Sequence, residues 1–131
     1  MTLRGLIEKA DDAEQNVYGW AMVANKADGS PLVDLQGDTI TPADLEKSVA
    51  YFMLEWRESG DQHDGGPATG RVIESMVFTA EKMAKIGIPP GAVPEGWWLG
   101  VHIDDRALYD KVVAGERRAF SIEGTAIREP M

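Results

Sequence analysis

Ser121 stands between Phe120 and Ile122 in the stretch Arg118-Ala119-Phe120-Ser121-Ile122-Glu123-Gly124. Read as a strand, alternation sends Phe120, Ile122 and Ala126 to one face and Ser121, Glu123 and Thr125 to the other. Two large apolar residues on one face pin the register, because a one-residue slip would expose both. The hydroxyl is then held on a rigid element and pointed away from the apolar layer, as a nucleophile is. Any exposed strand serine has the same pattern, so the base it can reach matters. The chain has two histidines. His63 lies in the polar, Gly-flanked turn Gly60-Asp61-Gln62-His63-Asp64-Gly65-Gly66-Pro67. Histidine titrates near neutrality without much tuning, which suits a general base. His102, in Leu99-Gly100-Val101-His102-Ile103, points away from Leu99, Val101 and Ile103 and reads as structural or solvent-facing. Serine hydrolysis needs a nucleophile, a base, an orienting group and oxyanion donors. Ser121 and His63 can supply the first two. Spacing does not decide whether they meet, because a triad is defined by geometry.

Metal chemistry has weaker support. Asp34 and Asp38 flank Gly37, but the alternating oxygen ligands and closing Glu of a calcium loop are missing. His63, Asp64 and Asp61 could be combined into a site, yet such close neighbours rarely ligate one ion well. No metal and no cofactor is expected. The absence of cysteine excludes disulfides and thiolate zinc sites.

The 131 residues suit one domain, 1–131. A net charge of −9 argues against binding a phosphate backbone, where Lys and Arg supply the affinity. No apolar run approaches the roughly 20 residues of a membrane helix. The first residues, Met1-Thr2-Leu3-Arg4-Gly5, show no secretory h-region. No nucleic-acid or membrane partner is expected.

The elements that must position these residues follow from pattern. Strands are expected at 3–9 and 17–25, joined by a polar turn as a hairpin. Thr41, Pro42 and Asp44 open a helix. Its stripe of Leu45, Val49, Phe52, Met53 and Trp56 packs on a sheet, and it ends near Ser59-Gly60. A short extended piece precedes His63. The next strand, 70–78, puts Val72, Glu74, Met76 and Phe78 on one face and Arg71, Ile73, Ser75 and Val77 on the other. Thr79 caps a short helix at 80–86, and a proline-rich loop follows. Trp97 and Trp98 lie in a strand over 96–103, with at least one of them in the core; the other could line a groove. A helix over 105–114 turns Leu108, Val112 and Val113 inward and stops at Gly115. The last strand runs from about 118 to 128. The order ββ-α-ββ-α-β-α-β predicts an α+β domain, its sheet mostly antiparallel and curved or barrel-like.

Five segments in this order carry a resemblance: Val17-Tyr18-Gly19-Trp20-Ala21, Val33-Asp34-Leu35-Gln36-Gly37-Asp38, His63-Asp64-Gly65, Gly96-Trp97-Trp98-Leu99-Gly100-Val101 and Ala119-Phe120-Ser121-Ile122-Glu123-Gly124. Together they resemble the XkdF-type phage serine proteases, which belong with prohead maturation proteases and are similar in fold to herpesvirus assemblin. The resemblance covers nearly the whole chain. It implies a small β-barrel-like sheet flanked by helices. It implies proteolysis inside the procapsid in the host cytoplasm, with scaffold and major capsid protein as substrates and a possible homo-oligomer. By the same likeness the nucleophile is Ser121 and the base His63. The third member is open: such proteases place it after the serine, where only ten residues follow. Glu74 and Glu123 are the candidates, with Glu129 the one later acid. Arg117 and Arg118 lie near Ser121, but assemblin-like enzymes carry their oxyanion arginines after the serine. The alternative is a non-catalytic capsid-assembly or scaffold-binding module on the same fold.

Overall fold

Apolar and aromatic residues that favour extended backbone make the first two strands, β1 (Thr2–Asp11) and β2 (Asn16–Asn25). A four-residue turn, 12–15, joins them as the expected hairpin. The computed structural model describes residues 2–33, 36–59, 70–114 and 119–123, with side chains described at 7–33, 36–55 and 70–114. The remaining described elements are α1 (Pro42–Ser59), β3 (Arg71–Phe78), α2 (Ala80–Ile86), β4 (Glu95–His102), α3 (Arg106–Ala114) and β5 (Ala119–Glu123). The extended piece expected before His63, and the expected final strand beyond Glu123, lie outside the described residues. None of the described helices is long and apolar enough to cross a membrane.

The strands form one sheet in the order β3-β4-β2-β1-β5, and every neighbouring pair is antiparallel. The fold is therefore α+β, as the element order predicts. β3 and β5 are the two edges, and no pairing joins them among the described residues. Among the described residues the sheet is not closed, so the likeness to a barrel is only loose.

One face of the sheet is the core. Ala21, Ala24, Val77, Trp97 and Leu99 meet Leu45, Val49 and Phe52 of α1, and Phe52 packs edge-on against Trp97 with ring centroids 5.5 Å apart. A second cluster on the same face joins Val17 and Ile103 to Tyr109 of α3. Each buried Val, Leu, Ile or Phe among them contributes on the order of 1.5–3 kcal/mol on full burial. Trp97 is wholly buried, and its indole donates to Ser75 Oγ at 2.9 Å, so no polar atom is stranded there. The helix starts are those the sequence predicts: Thr41 Oγ1 accepts from the Asp44 amide at 3.1 Å and Thr79 Oγ1 from that of Lys82 at 3.2 Å.

Two expectations need correcting. A bulge in β3 between Val72 and Glu74 shifts the pleat by one residue. Val72 consequently packs with the core cluster, and Arg71 pairs with His102. Strict alternation had put Val72 with Glu74, and Arg71 with Ser75 and Val77. In α3, Leu108 and Val112 pack inward as expected, but Val113 is 43% exposed. Tyr109 takes the central place, because its hydroxyl reaches across to Asp12 Oδ1 at 2.7 Å and sets the rotation of the helix.

Candidate active site

The other face of the sheet carries an aromatic surface and the position of Glu74. Trp20 pairs with Trp98, and Tyr18 with Gly100, which also pairs with Glu74. These positions alternate with the core residues Val17, Ala21, Trp97 and Leu99, and every helix residue in the buried clusters packs on the core side. Trp20 sits edge-on to Trp98 at 5.2 Å and to Phe78 at 5.6 Å. Trp98 Nε1 donates to Glu74 Oε1 at 2.9 Å, and Lys9 Nζ lies 5.0 Å from the Tyr18 ring centroid. Trp97 and Trp98 thus divide between core and open face, because neighbouring strand residues point opposite ways.

At one end of this face His102 Nδ1 lies 2.7 Å from Asn16 Oδ1, and its Nε2 lies 3.0 Å from Asp104 Oδ1. Arg71 Nη2 donates to the same Asp104 oxygen at 2.8 Å. That hydrogen bond, with smaller contributions from the Arg71 and His102 charges, holds the Asp104 carboxyl below its ordinary value. Both ring nitrogens of His102 face oxygen partners. It ties β4 to the start of β2 and to the loop before α3, in line with the structural role read from its strand.

The strand β5 gives Ser121 a register position on the same face. Its pairs with β1 are Leu6 with Ala119, Arg4 with Ser121 and Thr2 with Glu123, while Leu6 pairs on its other side with Trp20. Cross-strand partners share a face. The register positions of Ser121 and Glu123 are therefore on the face of Trp20 and Trp98. Phe120 and Ile122 pair with Gly5 and Leu3 and hold register positions on the helix-covered face, as alternation predicts. β5 is an edge strand with β1 as its one partner among the described residues.

Glu74 stands on β3, at the opposite edge from Ser121. Its carboxylate is engaged by the Trp98 indole. Glu123 shares Ser121's strand, about 6–7 Å along it by the rise per residue. His63, with Asp61 and Asp64, lies outside the described residues, as do Asp34, Arg117, Arg118 and Glu129. Among the described residues no group of three or more His, Asp or Glu is arranged to hold a metal ion.

Sequence reading allowed one of Trp97 and Trp98 to lie outside the core but missed the surface of Tyr18, Trp20 and Phe78 that Trp98 joins. The signal was present in the alternation of Tyr18 and Trp20 along β2. Its meaning depends on β2 pairing with β4, a contact between segments some 80 residues apart.

Comparison with known proteins gives the chain its relatives. It is 28% identical over 121 residues to "Uncharacterized protein YqbD" of Bacillus subtilis (strain 168), covering 92% of this chain and 34% of that protein. It is 30% identical over 122 residues to "Phage-like element PBSX protein XkdF" of the same organism, covering 92% of this chain and 41% of the relative. The chain thus spans about two-fifths or less of the length of these two relatives. No solved structure matches it. The model of the family described as "Putative phage serine protease XkdF" matches residues 4–129, nearly the full chain, and the chain belongs to that family.

Proposed function

We propose that this domain is a serine endopeptidase of a tailed phage. In this reading Ser121 is the nucleophile and His63 the base. The substrates are segments of scaffold and major capsid protein, cut inside the procapsid during prohead maturation. The observation that carries the reading is the register of β5, which gives Ser121 a position on the open sheet face of an edge strand. Family membership supports the reaction class.

An edge strand offers a row of unpaired backbone groups to an extended peptide. A substrate that meets this edge at its scissile bond, and crosses the sheet face beyond it, would bring one carbonyl to Ser121. The Oγ attacks the scissile carbonyl while His63 takes its proton and returns it to the leaving amine. Water, activated by the same imidazole, then releases the acyl group. Of the two candidate acids, Glu123 is on the nucleophile's own strand and is the one we assign to orient His63. Glu74 is separated from Ser121 by the width of the sheet.

The test is labelling with a fluorophosphonate probe and mass spectrometry of the modified peptide. Modification at Ser121, lost in Ser121→Ala and in His63→Ala, is the expected result. A folded protein that takes no label would overturn the assignment and leave the non-catalytic capsid-assembly module as the reading.

A further inference from the structure

The sheet face opposite the core holds a half-buried cluster that the proposed reaction does not use. Tyr18 and Glu74 approach one another across Gly100: a Cβ there would stand 2.8 Å from Tyr18 Cδ2 and 3.0 Å from Glu74 Cβ. Trp98 borders them and donates to the Glu74 carboxylate, and Trp20 and Phe78 extend the aromatic surface edge-on. Glu74 is exposed and takes part in no ion pair with another described residue. A carboxylate flanked by aromatic rings, with no cation paired to it among the described residues, is complementary to a cationic group from a partner. The rings attract it through their faces, and the carboxylate adds a charge-assisted hydrogen bond. Lys9 over Tyr18 already shows such a contact on this face. The net charge of −9 favours the approach of basic segments over acidic ones.

We propose that Tyr18, Glu74, Trp98 and Trp20 form a subsite for an arginine side chain of an extended peptide bound across this face. Arginine fits better than lysine, because a planar guanidinium can stack on an indole while its edge meets a carboxylate. The inference rests on the protease reading only for the subsite's place in a substrate. Trp98 is three strands from β5, about 14 Å across, and Ser121 lies about 7 Å further along its strand. The span of roughly 16 Å is about five residues of extended peptide. The arginine is therefore expected some five residues from the bond that is cut.

The test uses two acetylated decapeptides of alanine and serine that differ at position five, arginine in one and citrulline in the other. Each is titrated into the Ser121→Ala protein, and the tryptophan indole N–H resonances are followed. The arginine peptide is expected to shift the Trp98 and Trp20 signals and to bind at least about tenfold more tightly, the scale of one desolvated cation–π contact. Glu74→Gln should erase that preference. Its amide oxygen can still accept from the indole, and an unchanged indole spectrum without peptide would verify that the face is intact. Equal binding of the two peptides, a preference that survives Glu74→Gln, or shifts that spare Trp98 and Trp20 would overturn the subsite. Binding is read without turnover, so the two readings fail separately. Arginine preference without fluorophosphonate labelling sinks the protease alone, and labelling without arginine preference sinks the subsite alone.

Discussion

Gly96 and Gly100 set how closely the central strands approach, and they do so against different neighbours. A Cβ on Gly96 would stand 2.6 Å from the Met22 carbonyl oxygen and 3.0 Å from Val23 Cα, both backbone atoms of the paired strand. Backbone inside a sheet cannot swing aside. Gly96→Ala is therefore expected to cost about 1–3 kcal/mol, as overpacking does, read as a lower urea midpoint at unchanged slope. Gly100 meets side chains instead, which can shift at smaller cost. Tyr109 carries a second test. Its phenol is 1% exposed and donates to Asp12 Oδ1, and burial first, then that hydrogen bond and the Asp12 charge, push its pKa up to about 12. The fold favours the neutral phenol. Its contribution is thus fully present below the ordinary phenol value of 10.0 and is lost as pH rises through about 12. Tyr109→Phe should lower stability by about 1 kcal/mol at neutral pH and blunt the alkaline loss, measured as thermal midpoint against pH. Nothing in the periodicity of α3 singles out this tyrosine over Val113, because its place depends on an aspartate in the turn between β1 and β2.

At the scale of elements, the helices were legible because their start signals are local. Thr41-Pro42-Ala43-Asp44 and Thr79 announce α1 and α2, and both threonines cap as their types predict. The stripe of Leu45, Val49 and Phe52 likewise identifies the buried side of α1. Ser48 lies within that side, 3% exposed, and its Oγ has no hydrogen-bond partner among the described residues. An unsatisfied buried hydroxyl is a cost, and alanine is also the better helix former. Ser48→Ala should raise stability by roughly 0.5–1 kcal/mol, seen as a higher denaturant midpoint; a drop of that size would show that the hydroxyl has a partner. Strand faces were less legible than helices. Period-two reading of β3 assumes an unbroken pleat, and the bulge between Val72 and Glu74 breaks it. No residue type at that point requires a bulge. It follows from the fit of β3 to β4, which carries both the buried Trp97 and the half-buried Trp98.

At the scale of the molecule, the sheet order joins the first strand to the last. That contact is invisible to local patterns, although the alternation of Phe120, Ser121 and Ile122 foretold which residues of β5 share a face. The two halves of the site question therefore stood differently. The side of β5 that Ser121 occupies was readable from its neighbours, while its aromatic surroundings required the register of β1, β2 and β4 together. The same order makes the place of Ser121 depend on the start of the chain, since β5 pairs with Thr2 to Leu6 and with no other described strand. Removing residues 1–5 takes away all but one of these partners while leaving the pairs of β1 with β2 from Leu6 to Asp11. The described members of the two buried clusters all lie at or beyond Ile7. A chain beginning at Leu6 is expected to keep the near-ultraviolet signal of the packed Trp97 and to lose fluorophosphonate labelling at Ser121 by at least about tenfold, the effect of roughly 1.4 kcal/mol on the competent population. Labelling that persists at full rate would mean that β5 is held by other contacts, and the pairing with β1 would then not be what presents Ser121. Loss of both signals together would mean that the first strand is needed for the core itself, and not only for docking its last partner.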